Sequence, residues 1–187
     1  MPNTIEFKIK KTNIPGLLEI HMDKHEDSRG FFTEKFQKEK LVSLGFPENF
    51  EPVQENLSYN KEAGVTRGIH AEPWDKYISV VKGKVFAVFV DLRKGENFGK
   101  LFSIAVDSNI SVFVPKGVGN SFQTLEADTY YSYLLNAHWS PELQSSYKAV
   151  NLADQDLNIQ WPINLQNAIV SDKDKQNPNL KEIEPYI

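Results

Sequence analysis

The segment Lys84–Leu92 reads K-V-F-A-V-F-V-D-L and is apolar at odd and even positions alike. A strand of that kind is wet on neither side, so it belongs inside a sandwich or a closed barrel. Its continuous apolar run, Val85–Val90, is far too short to span a bilayer. Other short candidate strands surround it: Ile5–Lys10, Leu17–Met22, Phe31–Phe36, Val53–Tyr59, Val65–His70 and Tyr77–Val81. Leu101–Val106, Ser111–Val114, Ser121–Leu125 and Thr129–Leu135 complete the set. Turn residues punctuate them at Pro15-Gly16, Ser28-Arg29-Gly30 and Lys82-Gly83, the last read as a tight hairpin. One helix is expected over Gln37–Leu44, closed by Gly45 and followed by Pro47, and a shorter one near Asp154–Ile159. Many short strands and few helices give an all-β class, a jelly-roll β-sandwich or barrel.

A length of 187 residues fits one domain, 1–187, and neither an internal repeat nor a low-complexity linker divides it. The net charge of −4 argues against nonspecific binding of nucleic acid, which needs a basic surplus. Without cysteine there is no disulfide framework and no thiolate chemistry, which suits a reducing compartment. The start, M-P-N-T-I-E-F-K-I-K-K, lacks the apolar run of a secretion signal. A soluble, cytoplasmic protein that avoids membranes is the expectation.

Chemistry concentrates in Arg67–Gly83, R-G-I-H-A-E-P-W-D-K-Y-I-S-V-V-K-G. His70 stands where the metal site of a β-barrel would begin, yet the place two residues on is Glu72. Lys76 occupies a position for an acid, and Asn120 sits where a distant strand would bring another histidine. An ammonium offers only donors, so this set suits a histidine base better than a metal shell. A lone histidine is more often structural than functional. His21 and His25 bracket an acidic turn and read as exposed, and His138 beside Trp139 suits packing or stacking on a ring. In T-Y-Y-S-Y-L-L, Tyr131 and Tyr133 share one face and Tyr130 the other. Arg29 and Arg67 each precede a glycine and suit bidentate phosphate contacts, against the bland alternative of surface ion pairs. By composition the end, 171–187, is a solvated tail.

Taken together, the motifs resemble the dTDP-4-dehydrorhamnose 3,5-epimerase family. They are D-S-R-G-F-F-T-E-K-F (Asp27–Phe36), Q-E-N-L-S (Gln54–Ser58), R-G-I-H (Arg67–His70) and V-D-L-R (Val90–Arg93) with Phe98-Gly99. Pro115–Gly117, Trp161-Pro162 and S-D-K-D (Ser171–Asp174) follow in the family's order. H-A-E-P-W-D-K and G-V-G-N-S-F-Q-T-L look like the epimerase part of chains fused to a reductase. The resemblance implies a metal-free cupin-type jelly roll without cofactor, usually a homodimer, with the segment 163–187 packed on the barrel. It implies inversion of carbons 3 and 5 of a dTDP-4-keto-6-deoxyhexose through an enolate, in dTDP-L-rhamnose biosynthesis, with dTDP-4-dehydrorhamnose reductase as functional partner. On it, His70 is the base, Asp174 orients His70, Lys76 faces the keto oxygen and Tyr133 is the acid on the opposite ring face. Arg29 and Arg67 hold the diphosphate, and Phe32, Glu34, Gln54 and Asn56 surround nucleotide and sugar. Arg29, Phe32 and Glu34 reach across the dimer. Asn120 and His138 complete the substrate-binding set, where many members carry histidine and an aromatic. The alternatives are a single-site epimerase or ketoisomerase on a related deoxysugar, and a cupin that binds a nucleotide sugar without turnover.

Overall fold

A computed structural model of the chain describes residues 4–186. Its strands are β1 (Phe7–Lys11), β2 (Leu18–Met22), β3 (His25–Asp27), β4 (Gly30–Phe32), β5 (Gln54–Asn60), β6 (Val65–Ala71) and β7 (Lys76–Lys82). They continue as β8 (Val85–Asp91), β9 (Leu101–Val106), β10 (Ile110–Val114), β11 (Val118–Thr124), β12 (Thr129–Leu135), β13 (Lys148–Ala149) and β14 (Ile169–Val170). Two short helices, α1 (Lys38–Ser43) and α2 (Asp172–Lys175), join them. One antiparallel sheet has the order β1-β2-β10-β7-β12-β5 and the facing sheet the order β13-β6-β11-β8-β9, with β3 and β4 as a separate ribbon. The all-β jelly-roll class holds.

Each sheet is covered twice. Between them lie Ile78, Val80, Ala87, Phe89, Phe122 and Tyr131. On the back of the first sheet α1 sets Leu41 among Phe46, Phe50, Tyr77 and Phe113, with Phe46 and Phe113 edge to face at 4.9 Å. On the back of the second, Val88 and Val90 meet Val150, Leu152 and Leu157. That double cover is why β8 is apolar on both faces, and only Phe86 in it is partly exposed. The Gln37 side chain caps α1 by accepting from the Lys40 N–H at 2.7 Å, and Gly45 takes φ +95° just beyond its end.

Several local expectations are corrected. Lys82-Gly83 is not a hairpin: β7 pairs with β10 and β12, whereas β8 pairs with β9 and β11. The turn carries the chain from one sheet to the other, and a Cβ on Gly83 would lie 2.3 Å from Thr129 Oγ1. The strand expected over Phe31–Phe36 stops at Phe32, after which Phe36 leaves to pack edge to face on Tyr77 at 5.0 Å. No helix forms over Asp154–Ile159, because the Asp154 carboxylate accepts the N–H groups of Asp156 and Leu157 at 2.8 and 3.1 Å. His25 is half-buried, paired with Phe32 in the ribbon, and His21 lies beside Glu19 at 3.0 Å, so neither is a freely exposed turn residue. The polar end is no solvated tail. Val170 lies parallel to Thr66, and the Tyr186 N–H donates to the Leu92 carbonyl at 2.6 Å. Its last residue, Ile187, lies outside the described residues, as do the first three. Among the described residues no helix is long and apolar enough to cross a membrane.

Candidate active site

A single crossing between the sheets builds the centre of the site. β6 ends at Ala71 in one sheet and β7 begins at Lys76 in the other, so His70 and Lys76 emerge on opposite walls of one cavity. The crossing is pinned by Asp75, whose carboxylate accepts the Lys116 N–H at 2.7 Å and the Asn136 amide at 3.0 Å. Gly68 lets β6 approach β11: a Cβ there would stand 2.7 Å from the Asn120 carbonyl oxygen. In that close pairing Asn120 is the register partner of His70, and the register slips by a bulge before Phe122.

The cavity encloses about 490 Å³, the size of a small-molecule site. His70, Arg67, Lys76, Asn120, Tyr133 and Asp174 line it, together with Ser58, Thr66, Glu72, Tyr131 and Ser171. The His70 ring donates from Nε2 to Asp174 Oδ1 at 2.7 Å, which leaves Nδ1 as the acceptor for another proton. β14 and the Ser171 cap of α2, whose hydroxyl accepts the Asp174 N–H at 3.1 Å, hold that carboxylate in place. Burial pushes the Asp174 carboxyl up, but the His70 ring, Ser171 and the Gly68 backbone outweigh it and hold it below the usual value.

Lys76 is buried, ion-paired to Glu72, and donates to Asn120 Oδ1 at 2.5 Å. Its Nζ lies 5.8 Å from the Tyr133 ring centroid. Burial, helped by the Glu72 charge, raises the Tyr133 phenol above its ordinary value, with Asn56 and Arg67 pulling weakly the other way. Tyr133 is therefore a neutral donor at physiological pH. Tyr131 is stacked on Phe122 at 4.1 Å and is part of the wall.

The remaining candidates divide. Asn56 opposes Tyr133 across the β5–β12 ladder, and Gln54 donates to Asn56 Oδ1 at 3.0 Å. Arg67 is exposed at the cavity's edge, with Nε donating to Asn60 at 3.0 Å. Arg29, Phe32 and Glu34 do not reach this chain's own cavity: Arg29 pairs with Asp27 at 2.5 Å, Glu34 with Lys40 at 2.5 Å, and Phe32 is 64% exposed. His138 is exposed and does not line the cavity. The sequence marks Glu72 only as the residue standing where a metal site would carry a second histidine. Its spacing of four from Lys76, inside the same crossing, was the signal for a paired role.

The model of the family described as dTDP-4-dehydrorhamnose 3,5-epimerase matches residues 11–182. The chain belongs to that family. It is 48% identical to a protein named RmlC homolog from Streptococcus pyogenes serotype M6, over 92% of this chain and 88% of that one. A dTDP-4-dehydrorhamnose 3,5-epimerase from Methanothermobacter thermautotrophicus is 30% identical, over 97% and 99%. Among solved structures, RmlC from Streptococcus suis in complex with dTDP-D-xylose superposes with a TM-score of 0.91 at 47% identity, covering 96% of this chain and 94% of that one. Membership makes the chain an isomerase of the epimerase type, as its motifs implied.

Proposed function

We propose that this cavity epimerises carbons 3 and 5 of a dTDP-4-keto-6-deoxyhexose, with His70 as base and Tyr133 as acid. The observation that carries the reading is their placement on opposite sheets, with the Lys76 ammonium 5.8 Å from the Tyr133 ring. A sugar ring lying between the sheets offers one face to each. His70 Nδ1 takes the proton next to the ketone, and the Asp174 carboxylate stabilises the imidazolium that results. The electron pair moves onto the keto oxygen, where Lys76 meets it; a preorganised donor at such an oxyanion is worth ~3–4 kcal/mol. Tyr133 then returns a proton from the other face, which inverts the carbon. Exchange with water then takes the proton from His70 and reprotonates the Tyr133 phenolate, and the reset pair repeats the cycle at the second carbon flanking the ketone to complete the double epimerisation.

Arg67, at the cavity's edge, faces the diphosphate, and Asn56, the ladder partner of Tyr133, reaches the sugar with Gln54 bonded behind it, although neither lines the cavity of the single chain. The working unit is a homodimer in which the ribbon β3–β4 delivers Arg29, Phe32 and Glu34 to the neighbouring site. Supporting this, Phe31 and Phe32 are 53% and 64% exposed, an uncommon state for large apolar rings. The 4-keto product calls for a reductase as the next enzyme.

Proton NMR with dTDP-4-keto-6-deoxyglucose in deuterated water tests the function. Deuterium entering both carbons, with product that a reductase converts to dTDP-rhamnose, is the expected result. Exchange at one carbon only assigns a single-site epimerase; binding without exchange overturns catalysis on this sugar.

A further inference from the structure

Glu72 has no place in the scheme above, yet it is enclosed in the cavity. Its side chain is 14% exposed, that of Lys76 6%, and the two form an ion pair. A carboxylate beside a group meant to stabilise an oxyanion is at first sight a handicap, because it cancels part of the positive field. Geometry gives it another use. A lysine ammonium has three donors on a flexible four-carbon stem. Here Glu72 holds the ammonium as an ion pair and Asn120 Oδ1 accepts one of its hydrogens at 2.5 Å, so the ammonium is oriented and still has hydrogens to donate.

We propose that Glu72 is a positioning residue: with Asn120 it clamps the Lys76 ammonium so that an N–H not taken by Asn120 meets the enolate oxygen. The assignment rests on the epimerase reading of the cavity. Asn120 makes the clamp common to both walls, since it is also the register partner of His70. Base and oxyanion donor are thereby fixed relative to each other through one residue. The other ionisable groups lining the cavity are His70 and Arg67 on β6, Asp174 on α2 and Tyr131 and Tyr133 on β12, and the phenols of Tyr147 and Tyr186 also feel the Glu72 charge. Of the acids among these groups, Asp174 is engaged by His70, which leaves Glu72 as the counter-charge to Lys76. A buried ammonium without one is disfavoured.

Glu72→Gln keeps the shape and removes the charge. It is expected to lower kcat at least tenfold with KM within threefold of wild type, and Glu72→Asp to recover part of the loss. The decisive comparison uses Lys76→Met, with and without Glu72→Gln. The double variant carries neither buried charge, so it remains informative if Glu72→Gln alone does not fold. If Glu72 acts through Lys76, the two lysine-free variants have the same kcat within threefold. A further tenfold loss in the double variant, or Glu72→Gln turning over within twofold of wild type, overturns the proposal. Deuterium exchange by the wild type separates the two readings. Its absence removes the epimerase function itself, whereas its presence with an unimpaired Glu72→Gln removes only the clamp.

Discussion

Asp174→Asn isolates the orienting carboxylate of the base. The change keeps the side chain's size and leaves an oxygen able to accept from His70 Nε2, now 2.7 Å from Asp174 Oδ1. What disappears is the charge that balances the imidazolium formed when His70 takes the substrate proton. With ~4 Å between charge centres and an effective dielectric near 20, the attraction is ~4 kcal/mol. Water screens part of it, because the His70 side chain is 37% exposed. A figure of ~2–3 kcal/mol remains, which predicts a fall in kcat of roughly 30- to 150-fold. The asparagine is also free to present its amide instead of its oxygen, and that outcome selects the wrong tautomer and deepens the loss. The assay is reductase-coupled turnover, accompanied by thermal melting and by titration with thymidine diphosphate to verify fold and binding. A variant that folds, binds and turns over within threefold of wild type refutes the dyad as the source of basicity.

Tyr133→Phe removes the acid but not the base. Inverted product should fall by about 10²–10⁴, while deuterium exchange falls less than tenfold; equal losses in both signals refute the opposite-face scheme. Mixing Arg29→Ala with His70→Ala subunits tests the arm. Each variant alone should be nearly inactive and the mixture should regain about a quarter of wild-type activity, as a dimer with one intact site among four combinations would; no recovery refutes the exchange of ribbons. Arg67→Ala should raise KM about tenfold, one charge-assisted contact at an exposed site, and make KM less sensitive to salt; an unchanged KM excludes it from the diphosphate. Acid stability follows from Asp174. Its carboxyl is held below the ordinary 3.8 in the folded state, so its contribution is complete above that pH and fades as pH falls through the folded value. Asp174→Asn should flatten the decline of Tm below pH 4, and an equally steep decline in both proteins refutes the linkage.

The sandwich was legible because the strands that build it are short, apolar and regularly spaced, and β8 declares its double burial in its composition. His70, Lys76, Tyr133, Asp174, Arg67 and Asn120 all line one cavity, although Asp174 lies 104 positions from its partner. Composition alone misjudged that end of the chain. It is held by the Ser171 cap, by Asp174 on His70 and by two apolar contacts, Leu180 and Ile183 against the second sheet's cover, too sparse a pattern to stand out among its polar residues. The turn at Lys82-Gly83 failed for a similar reason. A glycine at positive φ serves a hairpin and a passage between sheets equally, and only the pairing of the flanking strands separates them. At Asp154 the expected short helix lost to a side chain that captures its own backbone.

The crossing from β6 to β7 explains how so few charged residues make a working site. Between the sheets the charges come in neutral pairs: His70, once protonated, with Asp174, and Lys76 with Glu72. Pairing keeps four ionisable groups tolerable at depths where a single uncompensated charge would be strongly disfavoured. It also leaves each pair a free direction, His70 Nδ1 in the first and the ammonium hydrogens that Asn120 does not take in the second. Enolisation needs those two directions and little else: an acceptor at the carbon-bound proton and a donor at the oxygen. The unbalanced positive charge is left at the rim, where Arg67 holds only a neutral asparagine and stays exposed to water. On the proposed reading a diphosphate meets its counter-charge there without altering the neutrality farther in. On that reading anchoring and chemistry are separated by depth, the exposed guanidinium at the rim and the paired groups within.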